Sequence, residues 1–496
     1  MEKQSRLGLV IAGLMLGVLM AGMDNTIVAT AMGTIVSDLG GFGRFVWVTS
    51  TYIVAEMAGM PLFGKLSDMY GRKRFFLFGL IVFLIGSSLS GTAESITQLS
   101  IYRAIQGFGA GALIPIAHTI VFDLFPPEKR GKMVGLFGAV FGLSTVSGPL
   151  LGAYIAEYIG WPWVFYINLP IGLVSLVLIT WFYREAKGYE KQPIDWLGIL
   201  TLIPAIVCLM LGLEWGGKEF PWGSNVIIGL FTASLLLILG FLIAETKAKQ
   251  PIIPFPMFQN RLFAASTMTS FFYSGTFILC TLYLPIFVQG VMGGTATNSG
   301  YILLPLMLGA VAASLIGGHL IAHLSYRTVM IFSSLLFVAG IGLLSTLSPD
   351  SSKTFLILYM IVTGLGMGSS FSVLTIAALH PFEHNQRGVA SSTISFIRSL
   401  GMSIGISVFG IYQRQAFERN VNTGFLENPQ TQGDLFSGKS RALLPADVLD
   451  QLTAALSQSI SHMFLWALIP AAFTLVLAFS MSGERPDGSK KVSLHH

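Results

Sequence analysis

The chain has 496 residues, of which 53% are hydrophobic and only 11% are charged, whereas soluble domains carry roughly 25% charged residues. This balance excludes a soluble enzyme and a soluble binding protein. The formal net charge of +5 follows the placement of basic residues in loops, so we expect no nucleic-acid partner. Cys208 and Cys280 lie in apolar runs. We interpret them as packing residues and expect no disulfide framework, metal site or cofactor.

Apolar runs long enough to cross a membrane recur from Leu7 to Phe479. Because about 20 apolar residues span the hydrocarbon layer, these runs predict fourteen membrane helices. We place them at residues 7–36, 44–63, 75–93, 97–122, 131–156, 162–183, 195–214, 224–244, 262–289, 297–324, 327–347, 354–379, 388–412 and 461–481. The opening is similar to a secretory signal, but its apolar run exceeds a signal core, which predicts an uncleaved first span. The predicted fold class is an all-α polytopic protein embedded in the lipid bilayer.

Basic residues predict the orientation of these spans. An even number of spans places both termini on one side, and the loops on that side hold most of the lysines and arginines. These are Lys65, Arg72, Lys73, Arg74, Lys129, Arg130, Lys132, Arg184, Lys187, Lys191, Lys247, Lys249 and Arg261. The positive-inside rule therefore predicts cytoplasmic termini in a bacterial cytoplasmic membrane.

One long connection, residues 413–460, is predicted to lie outside the cell. Its last part, PADVLDQLTAALSQSI, starts with Pro445 and places leucines at helical spacing. This pattern predicts an amphipathic helix outside the membrane. Two roles are open for the helix: a lid over an external opening, or a passive surface helix or linker.

Two loops have related sequences. GKLSDMYGRKR follows span two and GHLIAHLSYR follows span ten, so that Gly318 and Arg327 fall near the offsets of Gly64 and Arg74. This internal repeat predicts two six-helix halves with two helices inserted between them. We assign residues 1–190, 191–250 and 251–496 to the three parts. Transporters built from such halves hold their site at the interface between the halves.

Span one carries a carboxylate, Asp24, inside the stretch GLMLGVLMAGMDNTIVATAMGTIV. A charged side chain at this depth usually faces the bundle interior or a water-filled path. Span four places Arg103 and Gln106 on one face, and at 1.5 Å of rise per residue the depth of Arg103 matches that of Asp24 within a turn. Two interpretations are open: a static ion pair that joins two helices, or a pair that is broken and remade during proton exchange.

Two further charged residues fall near the middle of the membrane. Glu56 lies on span two and Arg398 lies on span thirteen. Both are candidate site residues, and for both a structural role is the alternative. Three histidines, His118, His319 and His323, lie nearer the cytoplasmic ends of their spans and are interpreted as packing or interface residues.

Span five is rich in glycine at spacings of three or four residues. Small residues at this spacing let helix backbones approach closely. Gly138, Gly142, Gly148 and Gly152 belong to this pattern, and Pro149 stands beside Gly148. Because an internal proline removes a hydrogen bond and bends a helix, we predict a bend that takes part in a conformational cycle. Ordinary tight packing is the alternative.

Motifs follow one another along the chain in a characteristic order. They are MDNTIVATAMG, WVTSTYIVA, GKLSDMYGRKR, YRAIQGFGAG, FGLSTVSGPLLGAY, GWPWVFYINLPIG, IDWLG, PIIPFPMFQNRLF and IRSLGMSIG. In sequence and position they resemble the fourteen-span drug:proton antiporters, a multidrug efflux family of the major facilitator superfamily. The resemblance covers Leu7 to about Tyr412 and the last span.

The resemblance implies a major facilitator fold and secondary export, in which protons enter as a drug leaves. It also implies a cytoplasmic gate formed by Gly64, Asp68, Gly71 and Arg72, with Asp68 and Arg72 holding the gate closed in the outward-facing state. An apolar cavity favours the protonated form of a carboxyl group and a nearby cation favours its charged form. Asp24 can therefore bind or release the coupling proton according to which side has water. We expect a monomer.

Span nine carries the aromatic residues Phe271, Phe272, Tyr273 and Phe277. We expect most aromatic residues of the spans to face lipid and a subset to line the cavity, where they would suit lipophilic, cationic or chemically varied drugs. The alternative substrate is an endogenous lipid, a metabolite or a siderophore, while the span-five motif argues against import. A receptor would need an extramembrane signalling domain, and an enzyme would need a catalytic constellation such as a nucleophile beside a base. The sequence pattern indicates neither.

Overall fold

The computed structural model describes residues 2–40, 46–185, 195–217, 219–248, 251–294, 296–420 and 445–485. Regular structure within these ranges is helical. The α-helices are α1 (Glu2–Leu39), α2 (Val46–Tyr70), α3 (Arg72–Ser90), α4 (Ile96–Leu124), α5 (Pro127–Tyr158), α6 (Trp163–Tyr166), α7 (Asn168–Phe182), α8 (Trp196–Trp215), α9 (Asn225–Lys247), α10 (Arg261–Gly290), α11 (Ala296–Leu320), α12 (Tyr326–Leu344), α13 (Lys353–Ser369), α14 (Thr375–Leu379), α15 (Arg387–Asn420) and α16 (Ala446–Ser480). Short 3₁₀ turns at Phe255–Gln259 and His384–Gln386 precede α10 and α15, and a π-helical segment, Ser370–Leu374, joins α13 to α14.

Side-chain caps define where many of these helices begin. A cap oxygen accepts a hydrogen bond from a first-turn backbone N–H that has no partner within the helix. The capping residues of α4, α8, α9, α10, α12 and α13 are Ser95, Asp195, Ser224, Asn260, Ser325 and Ser352. Polar residues of this type interrupt the apolar runs, which explains why the predicted starts of these spans lie close to the observed ones.

Thirteen helical segments of the described residues are long and apolar enough to cross a membrane. The second predicted span lies in α2, which is 25 residues long and is not among these thirteen. Helix α2 carries the charged residues Glu56, Lys65 and Asp68. With α2 counted, the helices correspond to the fourteen predicted spans, and the predicted all-α polytopic fold is confirmed.

The segment GKLSDMYGRKR is not a loop, which corrects the prediction. Gly64 and Asp68 lie in the last two turns of α2, and Arg72 starts α3, so only Gly71 separates the two helices. Gly71 has a φ of +108°, a conformation that glycine adopts without a steric penalty. The carboxylate of Glu185 lies against Gly71 and accepts hydrogen bonds from the backbone N–H groups of Arg72 and, at 3.2 Å, Lys73.

The predicted amphipathic helix after Pro445 is not separate from the last span. A single helix, α16, runs from Ala446 to Ser480. Its first turns bury Leu452 and Leu456 against the rest of the protein, so this apolar face has a packing role. Helix α15 extends to Asn420, well into the predicted 413–460 connection, and residues 421–444 lie outside the described residues.

The inserted pair, α8 and α9, packs beside α2. Met57 of α2 lies in one apolar cluster with Met210 of α8 and Phe241 of α9, and Phe396 of α15 packs against the same cluster. At the far end of α2, the rings of Trp47 and Trp215 stack with centroids 4.7 Å apart. The pair therefore covers the line along which α2 meets α15. The predicted part boundaries near residues 190 and 250, like Lys187, Lys191 and Lys249, lie outside the described residues, so the boundaries stay predictions.

The two halves meet near the face that carries the gate motif, at two pairs of helices. At the first pair, Gly64 of α2 packs against Gly388 of α15, where an added Cβ at Gly388 would lie 2.6 Å from the Gly64 carbonyl oxygen. At the second pair, Gly131 of α5 and Gly318 of α11 approach so closely that a Cβ on either would collide with the other's carbonyl oxygen. Gly64 and Gly318, the matching positions of the sequence repeat, thus occupy matching cross-half contacts.

Candidate functional site

A polar cluster surrounds Asp24 in the middle of the N-terminal half. The carboxylate is fully buried and forms an ion pair with Arg103 of α4 through Oδ2. Its Oδ1 accepts hydrogen bonds from Gln106 Nε2 at 2.7 Å and from Asn168 Nδ2 at 3.0 Å. Asn168 also donates to Ser87 Oγ at 3.1 Å. The depth match predicted for Asp24 and Arg103 thus corresponds to a direct contact, and the cluster joins α1, α3, α4 and α7.

Arg103 is held by more than its acidic partner. Its guanidinium donates to Gln106 Oε1 at 2.7 Å and to the Val48 carbonyl oxygen at 3.4 Å. The Tyr52 ring lies 4.0 Å from the guanidinium carbon, at a distance where a cation–π interaction contributes. Both charges of the pair are fully buried, and removing one partner of such a pair costs about 3–5 kcal/mol. Protonation of Asp24 would therefore strongly weaken the ion pair that holds α4 to α1.

Glu56 lies on α2, one turn after Tyr52, and is half-buried. Its charge interacts with those of Asp24 and Arg103. Within the described part of the chain, its carboxylate forms no hydrogen bond or ion pair. The structure therefore brings Glu56 within electrostatic range of the Asp24 cluster but leaves its carboxylate free to bind something else.

Asp68 caps a helix of the opposite half. Its Oδ1 and Oδ2 accept hydrogen bonds from the backbone N–H groups of Gly388 at 2.8 Å and Val389 at 2.9 Å, in the first turn of α15. A carboxylate at a helix N-terminus is stabilised by the helix dipole as well as by these hydrogen bonds. Ala322 occupies the matching position in the second repeat and cannot cap α5, which starts with Pro127.

Arg72 connects Asp68 to a second acid. Its guanidinium lies 3.3 Å from Asp68 Oδ1 and forms an ion pair with Asp123 at the end of α4. Asp123 also pairs with Arg387 of α15 at 2.9 Å, and Arg72 donates to the backbone carbonyl of His384. Helices α2, α3 and α4 are thus tied to the start of α15. The predicted gate residues Gly64, Asp68, Gly71 and Arg72 meet at this point.

The glycines of α5 contact two different partners. On the gate side, Gly138 and Gly142 face Ser314 and Val311 of α11, in the other half. Further along, Gly148 and Gly152 face the α1 segment that contains Thr26, close to Asp24. Helix α5 therefore touches both the cross-half contact and the helix that carries the buried carboxylate. It continues without interruption through Pro149, so the bend stays a prediction.

Arg398 is separate from the Asp24 cluster and lies in the C-terminal half. Its Nε donates to Ser270 Oγ of α10 at 3.1 Å, and one terminal nitrogen donates to Thr375 Oγ1 of α14 at 3.3 Å. The Phe371 ring lies 5.4 Å from its guanidinium carbon. The structure thus places the two candidates Asp24 and Arg398 in separate polar clusters, one in each half.

The aromatic residues of span nine lie on α10 and contact different neighbours. Tyr273 is buried against α12, where its hydroxyl lies 3.1 Å from Ser334 Oγ, and Phe272 stacks on Phe473 of α16. The ring centroids of Phe277 and Phe371 are 6.2 Å apart, and those of Phe371 and Phe141 of the N-terminal half are 5.7 Å apart. Of the set, Phe277 thus belongs to an aromatic cluster that crosses between the halves.

Several residues of these clusters were not identified from the sequence. Asn168 interrupts an apolar run in GWPWVFYINLPIG, and a buried amide in such a run is a signal for a polar partner. Asp123 and Arg387 lie near helix ends, where charged residues are common, and so gave no signal. Among the residues that the structure describes, no group of histidine, cysteine, aspartate and glutamate could hold a metal ion.

Comparison with known proteins assigns the family. A sequence profile of the Major Facilitator Superfamily matches residues 14–406. The chain belongs to the major facilitator superfamily. Multidrug resistance protein 3 of Bacillus subtilis (strain 168) is 51% identical over 494 residues, which cover 97% of this chain and 96% of that protein. Multidrug transporter protein MdtP of the same organism is 37% identical over 479 residues, covering 95% and 87%.

Two solved structures share the fold of this major facilitator chain. The proton:xylose symporter XylE has a TM-score of 0.61 and 14% identity, with 98% of this chain and 99% of that chain covered. The human organic anion transporter MFSD10 has a TM-score of 0.59 and 16% identity, with 93% and 99% covered. The family confirms the resemblance found in the motifs. The protein is a multi-pass membrane transporter and not an enzyme.

Proposed function

We propose that this transporter is a proton-coupled antiporter that exports lipophilic, mainly cationic drugs by alternating access. The observation that carries the proposal is the buried Asp24–Arg103 ion pair with its amide partners Gln106 and Asn168. A buried carboxylate with a cationic partner changes the free energy of its surroundings when it binds a proton. The names of the two Bacillus subtilis relatives, a multidrug resistance protein and a multidrug transporter, support the drug as cargo.

The proton site is linked to the gate through α5 in this proposal. Protonation of Asp24 weakens its attraction for Arg103 and releases α1 from α4. Helix α1 packs through Thr26 on Gly148, and the same α5 packs through Gly138 on Ser314 of the opposite half. Because helix packing has discrete alternatives rather than a continuous range, movement at one end of α5 favours separation at the other.

The gate network stabilises one of the two alternating states. Contacts of Asp68 with α15 and of Asp123 with Arg387 join the halves at the face that carries the basic loops. If that face is cytoplasmic, as the positive-inside rule predicts, these contacts favour a state closed to the cytoplasm. Drug and proton then exchange at the opposite face, where the proton displaces the drug.

Glu56 offers a second acidic group for the same task. Its carboxylate interacts electrostatically with Asp24, so binding of a proton or a cation at Glu56 changes the preference of Asp24 for a proton. We propose that a cationic drug contacts Glu56 first and that Asp24 gives up its proton in response. Competition of proton and drug for two adjacent carboxylates yields exchange rather than co-transport.

Proteoliposomes test this function. The vesicles have an acidic interior and enclose a pH-sensitive dye, and a permanently charged lipophilic cation such as tetraphenylphosphonium is added outside. Antiport predicts a rise of the internal pH that requires the protein, because protons leave as the cation enters. Uptake of the cation without a pH change would contradict coupling. A response to a lipid, a metabolite or a siderophore, with none to cations, would favour the endogenous substrate.

A further inference from the structure

Arg398 has no acidic partner among the residues that the structure describes. None of their ion pairs includes it. By contrast, Arg72 and Arg103 each pair with aspartate. An arginine stays charged even when it is buried, so a membrane-embedded arginine without a carboxylate is an incomplete ion pair.

The surroundings of Arg398 position it rather than neutralise it. Ser270 and Thr375 accept hydrogen bonds from two of its five N–H groups. Its backbone carbonyl accepts a hydrogen bond from Ser274 Oγ at 2.8 Å, which fixes α15 to α10 at this residue. One turn before Ser270, the fully buried Ser266 hydroxyl has no hydrogen-bond partner in the described structure. Donors for an anion are therefore present in excess.

Arg398 lies near the interface of the halves. It contacts Phe371, whose ring meets Phe141 of the N-terminal half. The side chain is half-buried, and Phe371 connects it to the contact between the halves. Counted from Arg387, Arg398 is about 16 Å along the axis of α15. This depth, near the middle of a hydrocarbon layer about 30 Å thick, excludes a lipid headgroup as the usual partner.

We propose that Arg398, with Ser270 and Thr375, binds the carboxylate of transported compounds. The guanidinium fork matches a carboxylate geometrically and can bind both of its oxygens. Since Asp24 and Glu56 supply acidic groups in the N-terminal half, the transporter can accept zwitterionic amphiphiles as well as simple cations. This inference deepens the proposed function and rests on it for the nature of the cargo.

Binding of two matched dyes to the purified protein in lipid nanodiscs tests the proposal. Tetramethylrhodamine carries a free carboxylate at neutral pH, and its methyl ester is a cation of nearly the same shape. Fluorescence anisotropy should show that the unaltered protein binds both. Arg398→Gln should weaken binding of the acid by about 10- to 100-fold, as expected for loss of charge-assisted hydrogen bonds, and change binding of the ester by less than about threefold. Arg398→Lys should recover part of the affinity for the acid.

Arg414→Gln is the matched control, because Arg414 lies on the same helix with an exposed side chain. It should change neither affinity. If Arg398→Gln does not fold, Ser270→Ala should show the same selective loss at a smaller size. An equal loss of affinity for both dyes in Arg398→Gln would overturn the proposed carboxylate site. An unaltered protein that binds only the ester would overturn it as well. Because binding needs no proton gradient, a failure of antiport in proteoliposomes would refute the proposed function and leave this result standing.

Discussion

Asp68→Asn should open the gate without unfolding the protein. The carboxylate accepts two backbone N–H bonds at the start of α15, at 2.8 and 2.9 Å, and lies 3.3 Å from Arg72. Asparagine keeps one acceptor oxygen but presents an NH₂ group to the other N–H, and it removes the charge. The two hydrogen bonds to the α15 backbone exist only when the halves meet at this face, so their loss acts on the gate equilibrium.

The magnitude follows from the contacts. Loss of one cap hydrogen bond costs about 1 kcal/mol, and loss of the favourable interaction of a partly buried charge with the helix dipole costs about 1–2 kcal/mol. The closed gate should therefore lose about 2–3 kcal/mol, which is roughly a 30- to 150-fold change in the ratio of closed to open molecules. Transport should slow because the closed state is visited less often, while substrate affinity should be retained.

Distance measurements between spin labels check this prediction. Lys129, at the start of α5, and His323, between α11 and α12, are exposed and lie on opposite sides of the cross-half contact. With Cys208 and Cys280 replaced by serine, labels at these positions should report a short distance in the parent protein and a second, longer distance in Asp68→Asn. Asp350→Asn, at an exposed loop position, is the control. An unchanged distance distribution with unchanged transport would show that Asp68 merely orients the helix end.

Three further predictions concern other parts of the molecule. Gly131→Val should abolish transport while the protein still reaches the membrane, because the valine side chain would collide with Gly318. The control Gly229→Val, at a position with open space, should be active. Equal activity of both variants in a transport assay would contradict the cross-half contact. Asn168→Ala should lower transport per folded molecule about tenfold, because Asp24 loses a hydrogen bond to its charged carboxylate. The measurement is substrate uptake normalised to the amount of purified monodisperse protein. Full activity would show that Asn168 is not part of the site. A cysteine at Asp350 should react with an impermeant reagent in intact cells and one at Lys129 should not, and the reverse pattern would refute the predicted orientation.

Local patterns predicted those parts of the protein that depend on one helix at a time. Span positions followed from apolar runs, and the Asp24–Arg103 contact followed from helix rise and burial, because two buried opposite charges at one depth rarely stay apart. For the aromatic residues of α10, the sequence indicated that a subset lines the cavity but not which ones. Consecutive residues of a helix point about 100° apart, so Phe271, Phe272 and Tyr273 could not share one face.

Contacts between the halves could not be predicted in this way. Asp68 caps α15 across 320 residues of sequence, and its partners are backbone N–H groups, which have no signature in the sequence. The glycine pattern of α5 predicted close packing but not that Gly138 would face one half and Gly148 the other. The Asp68 cap and the contact of Gly138 with Ser314 depend on how the two halves are arranged relative to each other, which no single span encodes.

Transport by Asp24→Asn per folded molecule tests the central claim most directly. Asparagine nearly preserves the volume and can still bond Gln106, but it cannot titrate. In proteoliposomes with an acidic interior, we predict that folded Asp24→Asn binds a lipophilic cation and produces no coupled rise of the internal pH. If Asp24 is instead a structural partner of Arg103, the variant should lose folded protein in proportion to transport, and adding Arg103→Gln should restore both. An Asp24→Asn protein that accumulates the cation against its gradient, with proton exchange at the normal rate, would contradict the account and leave Glu56 as the proton carrier.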